Sequence, residues 1–379
     1  MDADFRMSGV NNQELSNLPE TAFLKDRPSI AKARAIILAH GWNSTSYQML
    51  NPGIGRWFAA DKDAVVGFVS SKGVRVGVGA PVCALDDLPS VAAEFERDAA
   101  NNGERVCYFA AESRLESVFA GSTDHSMVLL GAQAVWHPGE WAAIVAGHKS
   151  LRAQLNRARN KKVTVTEWPA AKAHNDPRLI ECLHNWLAMK GLPPLHFMVE
   201  PDTLGRLFDR RVFVAEREGS VVGFVVLSPV ATRNGWLFEQ FPHAPGAPNG
   251  TVELMIDTAM RVLAEDGYDY ATLGLSPLSV RAAVAPFDNP LWLRILLAWL
   301  RKHGQRFYNF DGLDAFKAKL QPGRWEPVFA VSNEKHISPG TLYAILSAFS
   351  KNAPVRLVFG GLWRALVTEI KWLRQKIAG

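Results

Sequence analysis

Apolar and polar residues recur along this chain at two different periods, and the switching between them predicts its elements. From about Ala31 to Trp136, apolar runs alternate with amphipathic ones. WFAA near residue 57, AVVGFV (64–69) and VRVGVG (74–79) are rich in β-branched and aromatic residues and read as consecutive short strands. Residues 88–101 carry helical spacing, VCYFAA (106–111) reads as a strand, and MVLLGAQAVW (127–136) as another. Residues 148–160 form a helix dense in Arg and Lys.

The same grammar then returns. A strand at 163–168 precedes a helix at 176–190. A hairpin joins 212–216 to 221–227 through Glu218-Gly219, followed by a strand at 236–241, a long helix at 251–266 and a strand at 270–274. An apolar helix at 291–303 leads into FYNFDGLDAFKAKLQPGRWEPVFAV (307–331). That stretch reads as a short strand, an Asp-Gly turn, a helix with two lysines, a Pro-Gly turn and a strand; a last helix covers 339–350. This order is that of the acetyltransferase (GNAT) fold. The expectation is an α/β (α+β) protein of two tandem acetyltransferase-like units, each a mixed, mostly antiparallel sheet flanked by helices. The expected divisions are a flexible leader at 1–30, an N-terminal unit at 31–162, a C-terminal catalytic unit at 163–350, and a basic amphipathic tail helix at 351–379.

Charge narrows the search for partners. Six bases and one acid lie in residues 351–379; taking them from the chain's 42 and 37 leaves 36 of each, so the excess of +5 resides in the tail. Its spaced Leu, Phe, Trp and Ile residues have the form of an interfacial helix drawn to anionic lipid. No apolar run reaches the roughly 18–20 residues a membrane span needs. The three cysteines are scattered with no CxxC, and the histidines show no H-E-x-x-H, so no metal site is expected. Ile37–Ser46 reads as a strand running into His-Gly, the form of an oxyanion loop, but no G-x-S-x-G accompanies it and an esterase is set aside.

Candidate chemistry gathers in the second half. A Pro- and Gly-rich turn enters a helix near Asn249-Gly250, whose free N–H groups and positive dipole end favour an anion or a developing oxyanion. Glu253 and Asp257 follow four apart on one side, although Asp257 and Arg261 also suit a surface ion pair. The turn lacks the basic, glycine-spaced pattern of a pyrophosphate loop, and Pro245 and Pro248 remove two donors, which argues against CoA. Ser276 can bond a substrate carbonyl or ammonium, or cap its own loop. Lys317, Lys319, Arg324 and Glu326 sit close to two strand ends. Arg152, Asn156 and Arg159 share a helical face suited to phosphates or simply to solvent.

Several of these stretches together resemble the catalytic region of the phosphatidylglycerol lysyltransferase family, the multiple peptide resistance factors, in a soluble stand-alone form. The landmarks are GWNSTSYQML (41–50), SLRAQLNRAR (150–159), AEREGSVVGFVVL (215–227), APNGTVELMID (247–257), LGLSPLS (273–279) and the 307–331 stretch. Where that family shows Asp-Leu-Met-Arg, this chain has Glu239-Gln240-Phe241-Pro242, and PLWLRILLAWLRKHG replaces the usual sequence after LGLSPLS. The resemblance implies an aminoacyl-tRNA donor, an anionic membrane lipid as acceptor and surface, no cofactor, and residence in the cytoplasm on the inner membrane face. For that reaction the expectation is that Glu253 or Glu326 positions or deprotonates the acceptor, Lys317 or Lys319 with the N–H groups after Asn249 stabilises the oxyanion, and Glu239 holds the amino acid's ammonium. The rival readings are an acyl-CoA-dependent N-acyltransferase and a non-catalytic lipid- or tRNA-binding relative.

Overall fold

The computed structural model describes residues 27–190, 195–282, 284, 287, 289–303 and 310–350. The expected leader up to residue 26, the tail helix at 351–379 and the short strand at 307–309 lie outside these residues. Among the described residues there are eleven strands: β1 (Gly55–Phe58), β2 (Val65–Ser71), β3 (Val74–Val78), β4 (Arg105–Ala111), β5 (Ser126–Trp136), β6 (Val163–Trp168), β7 (Arg211–Arg217), β8 (Ser220–Val230), β9 (Gly235–Phe238), β10 (Tyr270–Pro277) and β11 (Arg324–Ser332). The helices are α1 (Arg27–His40), α2 (Leu88–Asn101), α3 (Ser113–Phe119), α4 (Trp141–Gly147), α5 (Lys149–Asn160), α6 (Ala170–Ala173), α7 (Pro177–Lys190), α8 (Thr251–Glu265), α9 (Leu291–His303), α10 (Phe310–Lys319) and α11 (Pro339–Phe349).

All eleven strands join one mixed sheet in the order β1-β2-β3-β4-β11-β5-β10-β9-β8-β7-β6. Only β3/β4 and β9/β10 run parallel; the other neighbours are antiparallel. Each half therefore repeats a run of antiparallel strands and then one parallel step. Beyond that step the halves trade strands. β11, from late in the chain, inserts between β4 and β5, while β5 pairs with β10. α11 likewise packs on β2 and β3. The expected division at 162/163 thus falls inside one continuous sheet.

Period-two burial assigns the two faces. On β11, Val328 and Ala330 join a core with α1 and α11, whereas Phe329 and Val331 point into the core under α2 and α3. Trp325, two pleats from Phe329 on that second face, packs with α8 and with Phe316 and Leu320 of the α10 region. Burying such side chains contributes roughly 1.5–3 kcal/mol each, so the register of β11 is strongly specified.

Two local expectations are corrected. Ile37–His40 is the end of α1, not a strand, because Ala33, Ile36 and Ile37 bury one helical face. Asp311-Gly312 lies within α10 rather than in a turn, with Asp311 in its first turn, where a carboxylate suits the helix dipole.

Candidate functional site

β9 and β10 pair only from Gly235–Leu237 to Tyr270–Thr272, after which β10 leaves β9 and continues along β5. Gly274 takes φ +70 at this departure, and its N–H turns back to Thr272 Oγ1 (3.0 Å). Splaying leaves the carbonyls of Gly274 and Leu275 without a partner from β9. Lys317 of α10 supplies one: its Nζ donates to Gly274 O at 2.7 Å and Leu275 O at 3.0 Å. The side chain is buried, and loss of solvent pulls its pKa down to about 7, with Asp314 opposing the shift. Nearby on the same strand, the buried Ser276 Oγ has no hydrogen-bond partner.

Lys319 leaves α10 on another side and bonds Glu253 Oε1 in the first turn of α8 at 3.1 Å. Lys317 is enclosed against β10, and Lys319 is one-third exposed. α10 is thereby wedged between strand and helix.

A second polar cluster occupies the opposite face. Trp325 faces α8, so its neighbour Glu326 faces the other way. There Glu326 receives Arg233, Arg324 (2.8 Å), Gln133 Nε2 (3.2 Å) and the Tyr270 hydroxyl (3.4 Å). Arg233 also bonds Glu112 at 3.0 Å and lies over the rings of Tyr270 and Trp42. The Ser44 N–H donates to Glu112 at 2.6 Å. Burial pushes the Glu112 carboxyl above its ordinary value against the pull of Arg233. Burial acts the same way on Glu326, but the hydrogen bonds and charge of Arg233, then of Arg324, outweigh it and hold that carboxyl below its usual value. A shallow pocket beside this cluster is lined by His40, Trp42, Asn43, Ser46, Cys83 and Arg114.

The remaining candidates are placed as follows. Glu239 stands at the end of β9 and accepts from Arg210 Nε (2.8 Å) and Gln48 Nε2 (3.4 Å), so its charge is already met by a buried guanidinium. Asp257 is fully enclosed and accepts from Trp141 Nε1, Arg159 and Arg261 at 2.7–3.0 Å, a tie between α8 and the α4–α5 region. Gly250 has φ +94, and a Cβ there would lie 2.1 Å from Gln154 O, so α5 closes against the start of α8. Asn249 is exposed. Arg152 donates to the carbonyls of Val145 and Ala146 at the end of α4, and Asn156 faces solvent. The structure brings Lys317 and Ser276 together at β10, pairs Glu253 with Lys319 on another side of α10, and puts Glu326 with Arg324 on the reverse of the sheet.

Sequence reasoning missed Arg233, Glu112, Gln133 and Trp42. The available signal was Glu112 directly after the buried strand VCYFAA, a charge at a strand end. Arg233 had no such mark, because its partners are 93 and 121 positions away.

Comparison with known proteins supplies the wider setting. Residues 34–332 match the family described as Phosphatidylglycerol lysyltransferase, C-terminal. A domain from Agrobacterium fabrum, provisionally named as the C-terminal domain of a lysylphosphatidylglycerol synthetase, superposes with TM-score 0.72 at 22% identity, covering 86% of this chain and 99% of that one. L-PGS from Bacillus licheniformis gives 0.69 at 20% identity, covering 84% and 95%. A Bacteroides thetaiotaomicron protein of unknown function gives 0.55 at 13% identity, covering 81% and 96%. At these identities the likeness carries the fold. No curated protein matches the chain. The family match spans most of the sequence, and the chain belongs to the phosphatidylglycerol lysyltransferase C-terminal family.

Proposed function

We propose that this member of the family moves an aminoacyl group from an aminoacyl-tRNA to a hydroxyl of a phosphatidylglycerol-like lipid, working as a peripheral protein at the inner membrane face. The family match over residues 34–332 carries the reading. The β9/β10 splay with Lys317 at its edge gives it a chemical centre. An ammonium has three N–H donors. Two of Lys317's go to Gly274 and Leu275, which leaves one for the carbonyl oxygen of the donor ester.

In this mechanism the lipid hydroxyl oxygen attacks the ester carbonyl and its proton passes to Glu253. Lys317 stabilises the oxyanion as it forms. Collapse breaks the bond to the ribose oxygen, which takes the proton back from Glu253, and the aminoacyl-lipid ester is released. Glu253 suits the base role better than Glu326, which faces the other side of the sheet and takes two arginines where Glu253 takes the single, part-exposed Lys319. A pKa near 7 keeps a substantial fraction of Lys317 charged at neutral pH.

The test is reconstitution with charged tRNAs and phosphatidylglycerol vesicles, read by mass spectrometry of extracted lipid. The expected product is heavier by one aminoacyl residue, and Lys317→Ala lowers its rate at least about a hundredfold. Absence of product with every aminoacyl-tRNA, together with acylation from acyl-CoA, would reject the reading.

A further inference from the structure

Residues 148–162 read HKSLRAQLNRARNKK, without one carboxylate. Leu151, Leu155 and Ala158 of α5 are buried in the core with α8, which turns the rest of the helix outward. Lys149, Arg152, Arg157 and Arg159 are exposed along it, with Asn156 and Asn160 between them. Lys161 and Lys162, also exposed, follow in the turn into β6. Lys149, Arg157, Lys161 and Lys162 have no ion pair among the described residues. Arg159 shares the buried carboxylate of Asp257 with Arg261, two guanidiniums on one negative charge. Arg152 is held by the carbonyls of Val145 and Ala146. Positive charge is therefore in excess over a helix of about 18 Å.

Like charges gathered on one short helix repel, and a polyanion lying across them removes that cost. An interfacial helix on a bilayer needs apolar side chains among its cations, and no large apolar residue is exposed between 148 and 162. The exposed Ser150, Asn156 and Asn160 between the bases suit the oxygens of a phosphate–sugar backbone. Position ties this face to the proposed centre. α5 closes on the start of α8 at Gly250, and the first turn of α8 holds Lys319 through Glu253. Lys319 belongs to α10, which bears Lys317. Side chains of α5, α8 and the α10 region share one core. We infer that the basic face of α5, with the Lys161-Lys162 turn, docks the phosphate backbone of the donor RNA and directs its aminoacyl end toward α10. This rests on the proposed aminoacyl-tRNA donor and adds the surface that holds it.

The experiment is fluorescence anisotropy of the full chain with a labelled, uncharged tRNA transcript, from about 50 to 200 mM salt. Wild type is compared with Lys149→Ala/Arg157→Ala/Lys161→Ala. A control, Lys72→Asn/Arg97→Ala/Lys335→Ala, removes the same charge from exposed positions without ion pairs elsewhere on the surface. All six positions are exposed, so circular dichroism and the melting midpoint are expected to stay at wild-type values. The α5 variant is expected to bind at least about tenfold more weakly and to flatten the slope of log affinity against log salt by about 2–3. The control should stay within about twofold of wild type. A wild type that does not bind tRNA, a folded α5 variant that binds it equally well, or a control that weakens binding as much would overturn the inference. So would an α5 variant that keeps tRNA but no longer floats with phosphatidylglycerol vesicles as wild type does, since the face would then meet the bilayer. Failure of the proposed reaction would look different: α5-dependent tRNA binding, with no aminoacyl lipid from any charged tRNA.

Discussion

Replacing Lys317 by Met separates two energies that the structure combines at one side chain. Lys317 titrates near 7 in the folded protein against an ordinary value of 10.5. Below pH 7 the folded chain bears the full cost of a buried ammonium, about 5 kcal/mol from the distance between those values. Above pH 7 the folded form has shed its proton while the unfolded chain keeps one. Unfolding then takes up a proton, and stability rises with pH until about 10.5. Methionine has nearly the same length and no charge, so it removes this dependence. It also leaves the Gly274 and Leu275 carbonyls unpartnered, at a pH-independent cost of about 1–3 kcal/mol each. Urea unfolding of both proteins between pH 6.5 and 9.5 is the assay. Relative to Lys317→Met, the wild type should gain about 3 kcal/mol between pH 7 and pH 9.5. Two curves that stay parallel over that interval would mean that the lysine is solvated and that its burial does not tune it.

Other changes probe the frame around the site. Gly250→Ala must hold a left-handed φ and push its Cβ toward Gln154 O, and should lower stability by about 2 kcal/mol or more in the same urea assay. Arg233→Met strands the buried Glu112 and should cost about 3–5 kcal/mol. Adding Glu112→Gln should recover part of that loss in thermal unfolding, and no recovery would place the damage elsewhere. Burial raises the thiols of Cys83 to about 11 and Cys107 to about 12, so native protein at pH 8 should resist alkylation at both, and denatured protein should react at both, as counted by mass spectrometry.

Local pattern made most elements legible. The helix at 88–101, the strand at 163–168 and the helix at 291–303 coincide with the observed bounds, since each carries its own period and its own terminating residues. The resemblance carried by the motifs between Gly41 and Ser350 was equally a property of the sequence, and the family match over 34–332 rests on the same chain of residues. Where apolar content alone had to decide, it misread α1, because IILAH fits a buried helix end as well as a strand.

What the tertiary structure decided was which residues meet. Nothing local in GRWEPVFAV tells that β11 travels back to lie between β4 and β5, because strand pairing joins groups hundreds of residues apart in sequence. That exchange sends Glu326 to Arg233 and Glu112, away from Lys317. Enclosure is likewise a collective property: Lys317 and Lys319 are indistinguishable in FKAK, and only the docking of α10 against β10 and α8 withdraws one from water and leaves the other on Glu253. The chain's own periodicities determine its elements, and the desolvation and charge pairing that tune its chemistry arise only when distant segments close around a side chain.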